Sequence, residues 1–291
     1  MNGKLFLLAA MTVGAACGQP DPDPPIRNIA PAPSIATAGT MQPLGPGGRW
    51  TLAFADEFDG TSLDSRKWVT CYWWDKHGCT NLANRELQWY QPSNVTVANG
   101  QLRLRAEPAE ARGDDGTLYN YTSALVSTGR DVEDVARPTK FAFKYGFAEM
   151  RARVPAGRGL LPAFWMLPTN HKSQPEIDIM EVLGDEPNVL YTNIHYGELG
   201  PGDPLGIIRT TDLSADWHVF GVDWAADRIV WYLDGKEVSR YEGPDNIPDH
   251  SMYLLIDVAV GGNWPGPPDG STHWPADMLV DYVHVWKRSD Q

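Results

Sequence analysis

The chain has 291 residues, with 24 Lys and Arg against 37 Asp and Glu, a formal charge of −13. That balance excludes the basic stripe that nucleic acid requires and any attraction to an anionic membrane surface. Hydrophobic residues at 42% exclude disorder over most of the length, and 28 Gly with 24 Pro favour turns and short strands over long helices.

At the N-terminus, Lys4 precedes an uncharged apolar run from Leu5 to Ala16. The run is too short to span a bilayer and reads as a secretory signal over residues 1–17. Gly14-Ala15-Ala16 before Cys17 resembles a bacterial lipoprotein processing site, although Gly14 stands where a large aliphatic is usual. Cys17 is the candidate lipid anchor, with an ordinary cleaved signal as the alternative. No other stretch reaches 18 apolar residues, so no transmembrane helix is expected. Residues 18–48 contain Pro20-Asp21-Pro22-Asp23-Pro24-Pro25 and read as a Pro-rich disordered tether. These features predict an exported protein, extracellular or held at the cell surface as an outer-membrane lipoprotein. With Cys17 lipidated, Cys71 and Cys79 are left to pair in an oxidising compartment. Trp73 and Trp74 lie inside that loop, as subsite aromatics or as packing.

Residues 49–291 suit one all-β domain. Leu102 to Ala106 alternates apolar residues with Arg. Tyr145 to Val154 alternates too, with Glu149, Arg151 and Arg153 on the polar face of a half-buried strand.

Next comes Glu176-Ile177-Asp178-Ile179-Met180-Glu181, three acids on an otherwise apolar segment. On a regular strand Glu176 and Asp178 share a face, but Glu181 would point into the core, where an unpaired carboxylate is costly. A β-bulge near Ile179 or Met180 returns all three to one face. Like charges packed so closely destabilise a strand, which points to use rather than decoration. Two carboxyls about 5–5.5 Å apart beside a third acid suit retaining glycoside hydrolysis. One attacks while ionised; the other keeps its proton because a neighbouring charge raises its pKa.

Further strands are expected over Trp217 to Trp224 and Arg228 to Leu233. Asp234-Gly235 supplies a type I′ turn into Lys236 to Tyr241, and Leu254 to Val260 and Leu279 to Trp286 close the domain. Two packed antiparallel sheets are the natural solution.

The acidic hexad is similar to the signature of glycoside hydrolase family 16 in its bulged form. The likeness runs over about residues 50–287. It includes Asp56 to Gly60, Asn84 to Tyr90, Pro162 to Pro168, Trp217-His218, Asp223-Trp224 and Val260 to Gly266. Val280-Asp281-Tyr282-Val283 completes it. The resemblance implies a concanavalin-like β-jelly-roll sandwich with a sugar cleft on its concave sheet. It implies a retaining endo-β-glycosidase of laminarinase type, acting as a monomer on β-1,3-glucan or mixed-linkage β-glucan. Other readings are a β-galactan or agar-type hydrolase, a cell-wall transglycosylase, and a noncatalytic glycan-binding sandwich. By matching position, Glu176 resembles the nucleophile, Glu181 the general acid/base and Asp178 the assisting carboxylate. Trp165, Asn84 and His195 match cleft residues, and Asn263 and Trp264 are expected at the rim. Glu86 and Arg85 read as structural neighbours of Asn84. No cofactor is implied for catalysis; a structural calcium would be held by Asp281 with backbone carbonyls of Glu57 and Gly100.

Three departures bear on the polymer rather than the reaction. Leu161 replaces the first Trp of a common Trp-Pro-Ala-Phe-Trp, Phe147 stands where Arg is frequent, and Ala124-Leu125 replaces a frequent Gly-Arg. One stacking platform and two cations are thereby missing or moved. The 12 Trp of the chain otherwise suit flat sugar-binding faces.

Overall fold

Apolar residues at every second position build two sheets that face each other across one core. The computed structural model describes residues 41–72, 79–130, 138–170, 174–196, 206–243 and 246–289. The expected signal, Cys17, most of the tether, Trp73 and Trp74 lie outside them.

One sheet has six strands, in the order β11 (Gly206–Arg209), β10 (Val189–His195), β9 (Glu176–Glu181), β8 (Leu160–Pro168), β15 (Met252–Val260) and β6 (Leu125–Ser127). The other has ten. Its main path is β14 (Lys236–Glu242), β13 (Arg228–Leu233), β12 (His218–Trp224), β7 (Gly146–Arg153), β16 (Ala276–Arg288), β4 (Gln101–Arg112), β5 (Leu118–Ser123) and β2 (Gln88–Tyr90). β1 (Trp50–Asp56) pairs with β16, and β3 (Val95–Ala98) with β4. The sandwich expected from the alternation is present. One pair departs from it, since β2 runs parallel to β5. The turn between β13 and β14 has positive φ at Asp234 and Gly235, 49° and 74°, as a type I′ turn requires.

Met150, Val222 and Trp231 from the larger sheet meet Phe164, Ile177 and Ile256 from the smaller one in the core. Each such side chain stabilises the fold by roughly 1.5–3 kcal/mol on burial. Trp68, Trp224, Trp231 and Trp286 are fully buried, so much of the Trp excess is packing rather than sugar platform.

The outer face of the ten-stranded sheet corrects two expectations. Residues 41–48 do not behave as tether. Gln42 and Trp50 exchange hydrogen bonds, Gln42 Nε2 donating to Trp50 O at 3.0 Å and Trp50 N to Gln42 Oε1 at 3.1 Å. Leu44 N donates to Glu149 Oε2 at 3.0 Å. Glu149 is therefore buried under this arm instead of facing solvent, and burial pushes its carboxyl up to about 7. The same face holds Phe147, packed among Trp50, Tyr232 and Trp286.

Candidate active site

The acidic strand β9 carries the bulge that its spacing demands. Against β8, Trp165 pairs with Asp178 while Phe164 pairs with Met180, which leaves Ile179 without an opposite residue. Against β10, Asn193 pairs with Asp178 and Tyr191 with Glu181. The extra residue is accommodated against both neighbours, so Ile177, Ile179 and Met180 all enter the core. Glu176, Asp178 and Glu181 are thereby returned to the outer face of the six-stranded sheet. Trp231, reaching through the core from β13, donates its Nε1 to the Asp178 carbonyl at 2.8 Å. That bond ties the irregular stretch to the opposite sheet.

The three acids repel one another where little water screens them. Burial, then Asp178 and Glu181, push the Glu176 carboxyl well up. Burial, then Asp178 and Asp257, do the same to Glu181. Asp178 lies against Glu176 and is the main charge that raises it after burial. On its other side, His195 Nε2 lies 3.1 Å from Asp178 Oδ2, and that carboxylate raises the imidazole pKa. The arrangement suits a site where one acid attacks ionised and another donates a proton at the same pH.

Beside these acids lies a network that the hexad does not announce. Asp257 on β15 accepts from Trp165 Nε1 at 2.7 Å and from Tyr90 OH at 2.8 Å. Glu86, itself buried, accepts from Gln88 Nε2 at 2.6 Å and from Asn84 Nδ2 at 3.4 Å. Burial, then the Asp257 charge, push Glu86 up to about 7. Cys71 and Cys79 form the expected disulfide, Cα to Cα 5.1 Å. It sets Tyr72 edge-on against both Tyr90 and Trp165.

The profile of Glycosyl hydrolases family 16 matches residues 85–283, which contain the whole acidic strand. The chain belongs to that family. It is 36% identical over 251 residues to an endo-1,3-1,4-β-glycanase of Rhizobium meliloti, covering 81% of this chain and 51% of that one. A β-glucanase of Rhodothermus marinus is 34% identical, over 82% of this chain and 85% of its own. The crystal structure of an endo-β-1,3-glucanase from Pyrococcus furiosus superposes with a TM-score of 0.74 at 31% identity, covering 84% of this chain and 97% of that one. The chain spans about half the length of several curated relatives it matches.

Within this family 16 frame, the expected site residues fall into three groups. Trp165 lies on the acidic face of the sheet, opposite Asp178, with its indole N–H anchored on Asp257. His195 sits on the same face, opposite Glu176. Asn263, Asn84 and Trp264 form the edge. Asn263 N donates to Asn84 O at 2.9 Å, and Asn263 Nδ2 to Ala83 O at 3.3 Å. Trp264, 45% exposed, stands edge-on to Tyr191 at 4.9 Å, and Tyr191 is the cross-strand neighbour of Glu181.

Of the residues expected at a calcium, only Asp281 would offer a side chain, and that side chain has another partner. The Asp281 carboxylate is taken by the Arg151 guanidinium at 2.6 Å, and Glu57 meets His284. Gly100 follows β3 in a left-handed turn with φ of 70°. Among the described residues no three His, Cys, Asp or Glu side chains converge on one point.

Of the family departures, Leu161 lies two residues before Ala163 on the same strand face, so the absent platform is at the site. Leu125 is there too, opposite Asp257 on β6. Phe147 is on the far sheet and cannot be a missing cleft cation. The residues that sequence reasoning overlooked are Asp257, Tyr90, Tyr72 and Gln88, and it undervalued Glu86. Asp257 did carry a signal, as the lone acid in Leu254 to Val260.

Proposed function

We propose that this chain is a retaining endo-β-glycosidase that cuts internal linkages of a β-1,3-glucan of laminarin type or a mixed-linkage β-1,3/1,4-glucan. The observation that carries the reading is the bulge in β9, which sets Glu176, Asp178 and Glu181 on one outer face, where the Glu176 and Glu181 carboxyls are pushed up. The names of the Rhizobium, Rhodothermus and Pyrococcus relatives support the glucan as substrate.

In this reading Glu176 attacks the anomeric carbon as the glycosidic C–O bond breaks. Glu181 delivers its proton to the leaving oxygen, and a glycosyl ester on Glu176 results. Glu181, now ionised, takes a proton from water, whose oxygen attacks the same carbon and releases Glu176. The configuration is inverted twice and so retained. Asp178, with His195 beside its Oδ2, holds Glu176 oriented and keeps the local charge in place. Trp165 offers a flat apolar face for a sugar ring.

The reading extends to export through residues 1–17, with Cys17 as the lipid attachment and a polysaccharide as the partner. Its support is the apolar run before Cys17 and the Cys71–Cys79 disulfide, a bond that persists in oxidising compartments.

The test is a panel of laminarin, lichenan, agarose, carrageenan and galactan with linkage analysis and NMR of the first product. Oligosaccharides from laminarin or lichenan in the β configuration are expected. Cleavage confined to agarose, carrageenan or galactan would overturn the glucan assignment, and an α-configured first product would overturn retention.

A further inference from the structure

Asp257 is the single acid of β15, a strand whose other members from Met252 to Val260 are apolar or aromatic. The residue is only 4% exposed. A buried carboxylate costs several kcal/mol unless donors compensate it. It is buried with two donors, the Trp165 N–H and the Tyr90 O–H, and among the described residues no Lys, Arg or His forms an ion pair with it. The two donors use different oxygens, Oδ1 for Trp165 at 2.7 Å and Oδ2 for Tyr90 at 2.8 Å. An amide in this place would offer one acceptor oxygen to two donors.

The register sets Asp257 toward the reacting acids. It is opposite Ala163 on β8, and Ala163 is opposite Glu181 on β9. Two strand spacings are roughly 10 Å, and only a methyl group stands between the carboxylates on that face. Trp165 is two residues from Ala163 and shares its face, opposite Asp178. Ionisable groups facing Asp257 are Tyr90 on β2, Glu86 and Tyr72 before it, and Glu176 and Glu181 on β9. β6 contributes Leu125, which has no charge.

We propose that Asp257 is a positioning residue of this site: it locks the plane of Trp165 against the sugar and holds a negative charge across Ala163 from Glu181, so that Glu181 keeps its proton until the leaving oxygen takes it. The second half rests on the glycosidase reading above; the first half stands on geometry alone. The Asp257 charge is among the causes that raise the Glu181 carboxyl, after burial and Asp178.

Two variants test the proposal, Asp257→Asn and Tyr90→Phe, each compared with wild type in two measurements. The first is the indole N–H resonance of Trp165, assigned through Trp165→Phe and followed with pH. In wild type it should titrate with a midpoint near that of Asp257, which burial pushes up to about 6. In Asp257→Asn the resonance should move and stop titrating. In Tyr90→Phe the carboxylate loses a donor, so the midpoint should rise. The second measurement is the pH profile of kcat/KM on laminarin. Asp257→Asn should draw the alkaline limb toward acid by about half to one pH unit, because Glu181 loses a repelling charge. It should also lower kcat on the order of tenfold. Tyr90→Phe keeps the charge and should leave the alkaline limb in place.

An alkaline limb that stays put in Asp257→Asn overturns the electrostatic role. An indole signal untouched in Asp257→Asn, or a midpoint unmoved in Tyr90→Phe, overturns the anchoring role. Should Asp257→Asn fail to fold, the Tyr90→Phe midpoint still decides the anchoring. Wild type inactive on every polysaccharide of the panel would sink the glycosidase reading, while the indole titration would still judge Asp257.

Discussion

The two outer faces of the sandwich treat their acids in opposite ways. On the ten-stranded sheet the half-buried and buried acids of the central strands have partners. Asp223 meets Arg288 at 2.8 Å and Arg228 at 3.4 Å, Asp277 meets Arg105 at 2.8 Å, and Asp281 meets Arg151 at 2.6 Å. Glu149 is capped by the Leu44 N–H. On the outer face of the six-stranded sheet Glu176, Asp178, Glu181 and Asp257 crowd together, with Glu86 beside them from the segment before β2, and His195 is the one cation-forming side chain in ion-pair contact with them among the described residues. A salt-bridged carboxylate is held ionised and makes a poor proton donor. The smaller sheet therefore forgoes pairing to keep protons on acids, and the larger sheet supplies conventional stability.

That contrast can be broken from either side. Glu176→Gln should lower turnover of laminarin by at least about a thousandfold, measured as released reducing ends. The same change relieves repulsion, so the melting temperature should hold or rise; a clear fall would contradict the view that these acids strain the fold. Asp178→Asn should cost about ten- to a hundredfold in kcat with a smaller change in KM, since the residue orients Glu176. On the other face, Asp223→Ala should leave two arginines without their shared carboxylate. It should destabilise by about 2 kcal/mol and lower the melting temperature by roughly 5 °C, with kcat per folded molecule unchanged.

The smallest effect concerns pH. Glu149 titrates near 7 in the fold, where burial holds it, and near 4.5 when unfolded. The native state thus binds the extra proton between these values, and stability falls as pH rises through that window. Glu86, also pushed up to about 7, and Asp257, to about 6, act in the same direction. Glu149→Gln should therefore flatten the melting temperature between pH 5 and 7 by a few degrees, and an unchanged slope would remove Glu149 as a cause.

What the sequence disclosed follows the same physical divide. The β9 bulge was legible because three acids in six residues cannot share a face any other way without burying a charge. The hairpin at Asp234-Gly235 was legible because so few residues accept two positive φ angles in succession. Asp257 was harder, since one acid in an apolar strand does not reveal that Tyr90, distant in sequence, will donate to it. Alternation assigns Glu149 to a polar face, but the packed arm at Leu44, together with Tyr282 and His284, covers it. Pro43 and Pro46 in that arm look like tether in composition, yet both are buried. The apparent loss of a cation at Phe147 belonged to the far sheet, where sequence likeness alone carries no depth information.

The arm at residues 41–48 also gives the domain a direction. It joins on the outer face of the ten-stranded sheet, over Glu149 and close to the turn at Gly235, while the acids open on the opposite side of the molecule. A domain gripped through its N-terminus therefore presents its acidic face outward. Immobilised on a bead by that end, it should reach insoluble glucan that a copy attached through the acidic face could not.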